Sequence, residues 1–145
     1  MQTFLPDSDY IKSAKCLDNK RLGKQRVETK QILLALGITV GEHKSGKKGW
    51  QNHPAVRMWK GYEGSLIVYG LCVCVEWRDR GFEDNVGVEL ENLYFDWAGH
   101  TTKPLWIGRE EFHASHRSNL LRKDADFYGK FGWTEQDNLP YVWPI

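Results

Sequence analysis

Apolar residues recur along this chain mostly three and four apart, the spacing of one helix face, and glycine, proline and acidic turn residues mark the breaks. After a short apolar start, Met1–Leu5, the run Pro6-Asp7-Ser8-Asp9 carries turn and N-cap chemistry and predicts a first short helix to about Cys16. Asp18 is placed to cap a second helix reaching Leu36, with Gly37 as its stop. The second half of that helix, Ile32 to Leu36, is apolar nearly all round, as in a segment threaded through a core. The first half differs. At about 100° per residue, Arg21, Gln25 and Glu28 share a stripe with Ile32, and Leu22, Arg26, Thr29 and Leu33 form the adjoining one. Polar and charged groups thus lie in line with core positions.

Thr39–Gln51 is a glycine- and lysine-rich loop, and Pro54 fits the first turn of a third helix. After Gly61 an apolar helix runs from about Tyr62 to Arg80 and stops at Gly81; the alternation in Leu71–Val75 leaves a strand as the weaker alternative. Further helices are predicted around Val88–Trp97 and from Arg109 to about Arg122, the latter entered from Gly108. Asn138–Ile145, with two prolines and two aromatics, is expected to pack as an extended strap. The chain therefore reads as all-α: one domain over residues 1–145, a compact bundle of about five helices with a long basic loop and an aromatic C-terminal strap.

Composition narrows this picture. A chain of 145 residues can bury an ordinary core, roughly 70% of its unfolded surface, without metal or disulfide staples. Three cysteines, an odd number without C-x-x-C spacing, point to a reducing compartment. Leu66–Trp77, the longest apolar run, is too short to span a bilayer. The formal net charge is only +1, so there is no global pull toward nucleic acid, but the cations are clustered. They concentrate in Lys12–Lys30, His43–Lys48 and Arg117–Lys123, and the chain also carries 7 Trp. Basic clusters interleaved with aromatics suit surfaces that grip phosphates and stack on bases.

Four constellations carry candidate chemistry, each with a structural alternative. Arg21-Leu22-Gly23-Lys24-Gln25-Arg26-Val27-Glu28 is either an internal ion-pair network or a cleft in which Glu28 faces a sugar while arginines hold phosphates. Gly23 would allow close approach of a backbone or a ligand. His113 and His116 share a helix face, but nothing is spaced to complete a metal site. Arg117, Asn119, Arg122 and Lys123 fit phosphate and base-edge contacts, or simply a solvated basic face. Around Pro54, Asn52, His53 and Arg57 sit at a helix start beside the Lys47-Lys48 loop, either meeting a phosphate or capping the helix. Phe127 to Trp133, with Tyr128 and Lys130, and then Tyr141 and Trp143, are core aromatics or an adaptable loop that stacks a displaced base.

At these residues the chain resembles the pyrimidine-dimer DNA glycosylase (endonuclease V) family, in particular its bacterial and phage branch. The likeness spans Gln2-Thr-Phe-Leu-Pro6, Leu17-Asp18 through Arg21 to Glu28, Asn52-His-Pro-Ala-Val-Arg57-Met-Trp59, Ser115 to Lys123 and Leu139-Pro-Tyr-Val-Trp143-Pro144. The resemblance implies a helical domain that kinks duplex DNA, flips a nucleotide, cleaves the glycosidic bond through an imine on the N-terminal amine, and nicks the backbone by β-elimination. It places the glutamate role on Glu28 and the arginine roles on Arg21 and Arg26. Gln2 is too large for ordinary removal of the initiator methionine, so the amine expected to act is that of Met1, with an activated water as the alternative.

The candidate catalytic residues are thus Glu28, Arg21, Met1 and His116. The candidate DNA-binding residues are Arg26, Lys24, Gln25, Lys47, Lys48, Asn52, His53, Arg57, His113, Arg117, Asn119, Arg122, Lys123, Tyr128 and Lys130. The expected partner is double-stranded DNA, met by a monomer in the cytoplasm of a bacterial or phage-infected cell, with no metal, cofactor or membrane. A non-catalytic DNA-binding accessory protein and an enzyme that modifies an altered pyrimidine are the alternatives.

Overall fold

The computed structural model describes residues 1–43 and 50–145. Local sequence signals place most of the helices. Asp9 caps α1 (Tyr10–Cys16), its carboxylate accepting from the N–H of Ile11 at 2.8 Å and of Lys12 at 3.1 Å. Asp18 precedes α2 (Asn19–Ala35) but does not cap it, because its carboxylate is taken by Arg21 and the Tyr128 hydroxyl. At the other end Gly37 adopts φ 94, and the N–H groups of Gly37 and Ile38 close onto the carbonyls of Leu34 and Leu33. The same closure ends α4 (Glu63–Asp79): Gly81 and Phe82 return to Arg78 and Trp77. Pro54 opens the short α3 (Pro54–Arg57) under a cap from the His53 ring.

Downstream lie α5 (Gly87–Trp97), α6 (Glu110–Lys123) and α7 (Ala125–Tyr128), with a 3-10 turn over Gly129–Phe131. The described residues hold seven α-helices and no β-strand, an all-α fold with more helices than the about five expected. The difference lies in short pieces. Phe127-Tyr128-Gly129, expected as an adaptable loop, is helical and packed, because Asp124 caps α7 and the rings stack among themselves.

Helix α4 packs against α1, α2 and α5. Being apolar on most sides, it is the element others can surround. Gly70 makes one crossing close: a methyl group there would lie 2.6 Å from Thr29 Cγ2 of α2 and 2.7 Å from Leu90 Cδ1 of α5. Gly23 serves a similar purpose. The expected close neighbour of Gly23 was a backbone or ligand; instead the Trp77 indole lies there, 2.8 Å from where a methyl would sit. No helix among the described residues is long and apolar enough to cross a membrane, and Cys16, Cys72 and Cys74 are free thiols.

The tail runs as the expected strap along α6. Ser115 Oγ accepts from Val142 N–H at 3.1 Å, Ser118 Oγ accepts from Leu139 N–H at 3.0 Å, and Asn119 Nδ2 donates to Leu139 O at 3.0 Å. Three short polar side chains on one helix face thus fix the path of the last residues.

Because Gly70 touches both neighbouring helices, G70A is expected to destabilise the fold by about 1–3 kcal/mol through overpacking. Urea denaturation checks this as a lowered midpoint at unchanged slope.

Candidate active site

The site is organised by residues 2–6, which are buried without forming regular secondary structure. Their backbone groups must be paired if buried, and side chains do the pairing. Gln25 bridges the segment: its Nε2 donates to Gln2 O at 2.9 Å and its Oε1 accepts from Phe4 N–H at 2.9 Å. The Gln2 N–H donates to Glu28 Oε2 at 3.3 Å, and the Tyr69 hydroxyl donates to Phe4 O at 2.9 Å. Leu5 is held on both sides, its N–H donating to His116 Nδ1 at 2.9 Å and its carbonyl accepting from His113 Nδ1 at 2.8 Å. The Trp59 indole donates to Thr3 Oγ1, and Arg117 donates to Pro6 O.

These bonds fix both imidazoles. His113 Nε2 accepts from Gly108 N–H at 2.9 Å, so its proton sits on Nδ1 and serves Leu5 O. His116 accepts at Nδ1, which leaves its proton on Nε2. Burial holds His116 neutral, with its pKa pushed down to about 3 by desolvation and then by His113. Burial likewise lowers that of His113.

Where this N-terminal segment meets α2, α6 and the strap, a cleft of about 350 Å³ opens, lined by Met1, Gln2, Phe4, Lys20, Arg21, Lys24, Gln25, Glu28, Lys123 and Tyr141. Glu28 is its carboxylate, 8% exposed, bonded to Gln2 N–H and Gln25 Nε2 and facing Lys24 Nζ at 4.0 Å. Arg21 is steadied from behind, donating to Asp18 at 3.2 Å, while Asp18 is in turn fixed by Tyr128. Desolvation, then the positive charges of Arg21, Arg122 and Lys24, lower the pKa of Lys123. Burial raises that of Tyr141, opposed by Arg122 and Arg21. A crowd of cations around one carboxylate suits an anionic backbone and a developing positive sugar. Other grooves of similar size also carry charges, such as Lys15, Glu76 and Asp79 between α1, α4 and α5 or Arg57, Lys60 and Glu63 beside α3, but residue 1 lines neither of these.

Of the residues expected at the chemistry, Met1, Arg21 and Glu28 share this cleft. His116 does not. It is fully buried behind the cleft, its ring edge-on to Tyr141 at 5.5 Å, because Leu5 needs its nitrogen. Lys24, Lys123 and Gln25 of the expected DNA-binding set line the cleft, Gln25 with its amide committed to the N-terminal segment. Arg26 lies elsewhere, paired with Asp84 at 2.6 Å and stacked over Trp77 at 4.8 Å. His113, Asn119 and Tyr128 are buried scaffold, and Arg117 is enclosed by Glu110, Glu135 and Pro6 O. Arg122 bonds Asn119 and reaches Asp137 O. Asn52 and Arg57 are exposed, and His53 caps α3 between Trp50 and Trp143. Burial, then the N-terminal amine, lower the pKa of His53. Lys130 is exposed and lies over Phe127 at 3.8 Å. Lys47 and Lys48 lie outside the described residues.

Gln2, Phe4 and Lys20 line the cleft without having been singled out as site residues, and Tyr141, one of the aromatics read as core or as base-stacking, lines it too. Lys20 stands one turn before Lys24 and was legible from that spacing. Tyr141 reaches the cleft only because the strap folds back.

The His116 ring predicts a pH dependence. The unfolded chain takes up its proton near 6.5, the folded chain only near about 3, so stability from this residue is complete above 6.5 and lost as the pH falls toward 3. His116→Asn retains an acceptor for Leu5 N–H but no titration. Urea midpoints at about pH 7 and about pH 4.5 are expected to differ less for this variant than for the unsubstituted chain.

A family described as pyrimidine dimer DNA glycosylase matches residues 1–90. Neither the curated proteins nor the solved structures yield a match. The matched stretch contains the N-terminal segment, α1 to α4, Arg21 and Glu28, whereas Lys123 and Tyr141 come from beyond it. With more than half its length matched, the chain belongs to the pyrimidine dimer DNA glycosylase family.

Proposed function

We propose that the chain cleaves the glycosidic bond of one pyrimidine of a dimer in duplex DNA, turning a nucleotide out of the helix at the cleft of Met1, Glu28 and Lys123. One observation carries this reading: residue 1, a nearly buried carboxylate and several cations line a single cleft. As the bond between C1′ and the pyrimidine nitrogen breaks, its electron pair leaves with the base and positive charge grows on the sugar. The Glu28 carboxylate stabilises that charge; Arg21, Lys24 and Lys123 hold the flanking phosphates. The amine of Met1 then attacks C1′, losing a proton. The C1′–O4′ bond then breaks, its electron pair leaving with O4′, which takes up a proton, so that an imine joins the amine to C1′; loss of a proton from C2′ then expels the 3′ phosphate by β-elimination, which nicks the strand.

Borohydride reduction during turnover of a duplex carrying one thymine dimer tests the covalent step. The expected outcome is a protein–DNA adduct that maps to the peptide containing Met1. Glycosidic cleavage, read as an alkali-labile site, without an adduct would assign the attack to water; DNA binding without cleavage would reduce the chain to a binding protein. Glu28→Gln is expected to slow single-turnover glycosidic cleavage by about 100-fold or more, on the scale of losing one electrostatic group, with duplex affinity within a few-fold. Undiminished cleavage by the variant would remove Glu28 from the mechanism.

A further inference from the structure

Helix α4 meets α2 through Gly70 and Trp77, and its opposite side faces outward. At about 100° per residue, Val68, Leu71, Cys72 and Val75 form one stripe on that side. With Ile11 of α1 and Tyr94 of α5 they line a groove of about 380 Å³, whose charged members are Lys15, Glu76 and Asp79. Beside Tyr94, Val88 and Phe95 stand two turns apart on the outer side of α5, 58% and 79% exposed. Ile11 and Val75 within the groove are themselves 56% and 46% exposed. Single apolar residues on a surface are ordinary, whereas several on one face mark a contact surface. The cleft lies on the other side of the helix pair: α2 meets α4 through Gly23 and Thr29 and lines the cleft with Arg21, Lys24 and Glu28.

The two flanks of the groove carry opposite charge. Beyond its cap Asp9, α1 holds Lys12 and Lys15, both exposed, and no carboxylate. α5 holds Glu89, Glu91 and Asp96 and no cation. Lys30 takes Glu89, while Glu91 and Asp96 are exposed, Glu91 with Arg78 of α4 at 3.8 Å. On the floor Glu76 pairs with Arg80 at 3.5 Å. An acidic flank repels phosphates, which makes a DNA backbone a poor occupant. A second copy of the chain fits. A two-fold axis through the α4 stripe exchanges the flanks, so α1 of each copy faces α5 of the other. Under that operation Lys12 and Lys15 meet Glu91 and Asp96 twice over, and Phe95 meets the apolar side chains around Ile11. The face is complementary to itself in both charge and polarity.

We infer that the chain forms a two-fold dimer through the α1–α4–α5 face, with Phe95 of each copy set against the groove of the other, in place of the monomer expected from the sequence. The apolar contact supplies the attraction, and the opposed flanks fix the antiparallel register and disfavour the parallel one, which would set like charges together. No residue of the groove lines the cleft, so both clefts of the dimer stay open to DNA.

Sedimentation equilibrium of the full chain tests this. Between about 1 μM and about 300 μM, where interfaces of modest affinity assemble, the mass is expected to rise from 16.9 kDa toward twice that value. Phe95→Asp is expected to raise the dimer dissociation constant about 10-fold or more, on the scale of one central interface side chain. Two charge variants then ask whether the chain pairs with itself in the stated register. K12E/K15E has two acidic flanks and E91K/D96K two basic ones, so each alone is expected to stay monomeric. Their equimolar mixture is expected to recover the dimer mass, because every flank then faces its opposite. The inference is overturned by a monomer at every concentration, which leaves the groove to a different protein. It is equally overturned by F95D that dimerises like the unsubstituted chain, or by mixed charge variants that stay monomeric. Should F95D lose its thermal unfolding transition, the charge variants, which alter exposed side chains alone, carry the test.

Discussion

Residues 2–6 are buried without regular secondary structure, and their peptide groups are met by side chains from three helices. That requirement sets the rest of the site. Gln25 from α2, Tyr69 from α4, and His113 and His116 from α6 each donate to or accept from this segment. Because an unpaired buried peptide group costs about 1–3 kcal/mol, these side chains are tied to their positions more tightly than apolar packing alone would tie them. The N-terminal segment therefore acts as a keel, and residue 1 lines the cleft together with Glu28.

The electrostatics follow from the same placement. Glu28 sits nearly buried yet satisfied by Gln2 N–H and Gln25 Nε2, so a carboxylate is retained where a sugar would lie. Around it Arg21 is paired with Asp18 at the rim and Lys24 faces Glu28 itself at 4.0 Å, while Lys20 and Lys123 also line the cleft. Elsewhere the positive charges are spent on structure: Arg26 on Asp84 and Trp77, Lys30 on Glu89, Arg117 on Glu110 and Glu135. A chain of net charge +1 can in this way still present a local cationic cleft.

How much of this was legible in the sequence depended on the range of the interaction. Local signals read through: Asp9 as a cap, Gly37 and Gly81 as stops, Pro54 as a start, and the polar stripe of α2. That Arg21 and Glu28 share one cleft was legible because helical spacing sets them on one side. What periodicity does not carry is the neighbour. Arg21 and Arg26 look equivalent along the chain, yet one turns to the cleft and the other meets Asp84, 58 residues away. His113 and Asn119 look like DNA contacts and His116 like a catalytic group, but the N-terminal segment and the strap need their polar atoms instead. Buried polar residues in a helix pattern resemble chemistry where the fold uses them to satisfy backbone. Tyr141 stands out in the sequence only as one aromatic among several, and the docked strap brings it to the cleft.

The central claim is that this cleft cleaves the glycosidic bond of a pyrimidine in damaged duplex DNA. Its most direct measurement incubates the protein with an end-labelled duplex containing one thymine dimer, then treats it with mild alkali and maps the break. The account predicts a break at the dimer's position in the damaged strand and none in the matching undamaged duplex. Protein that binds the dimer duplex yet leaves no alkali-labile position would contradict it.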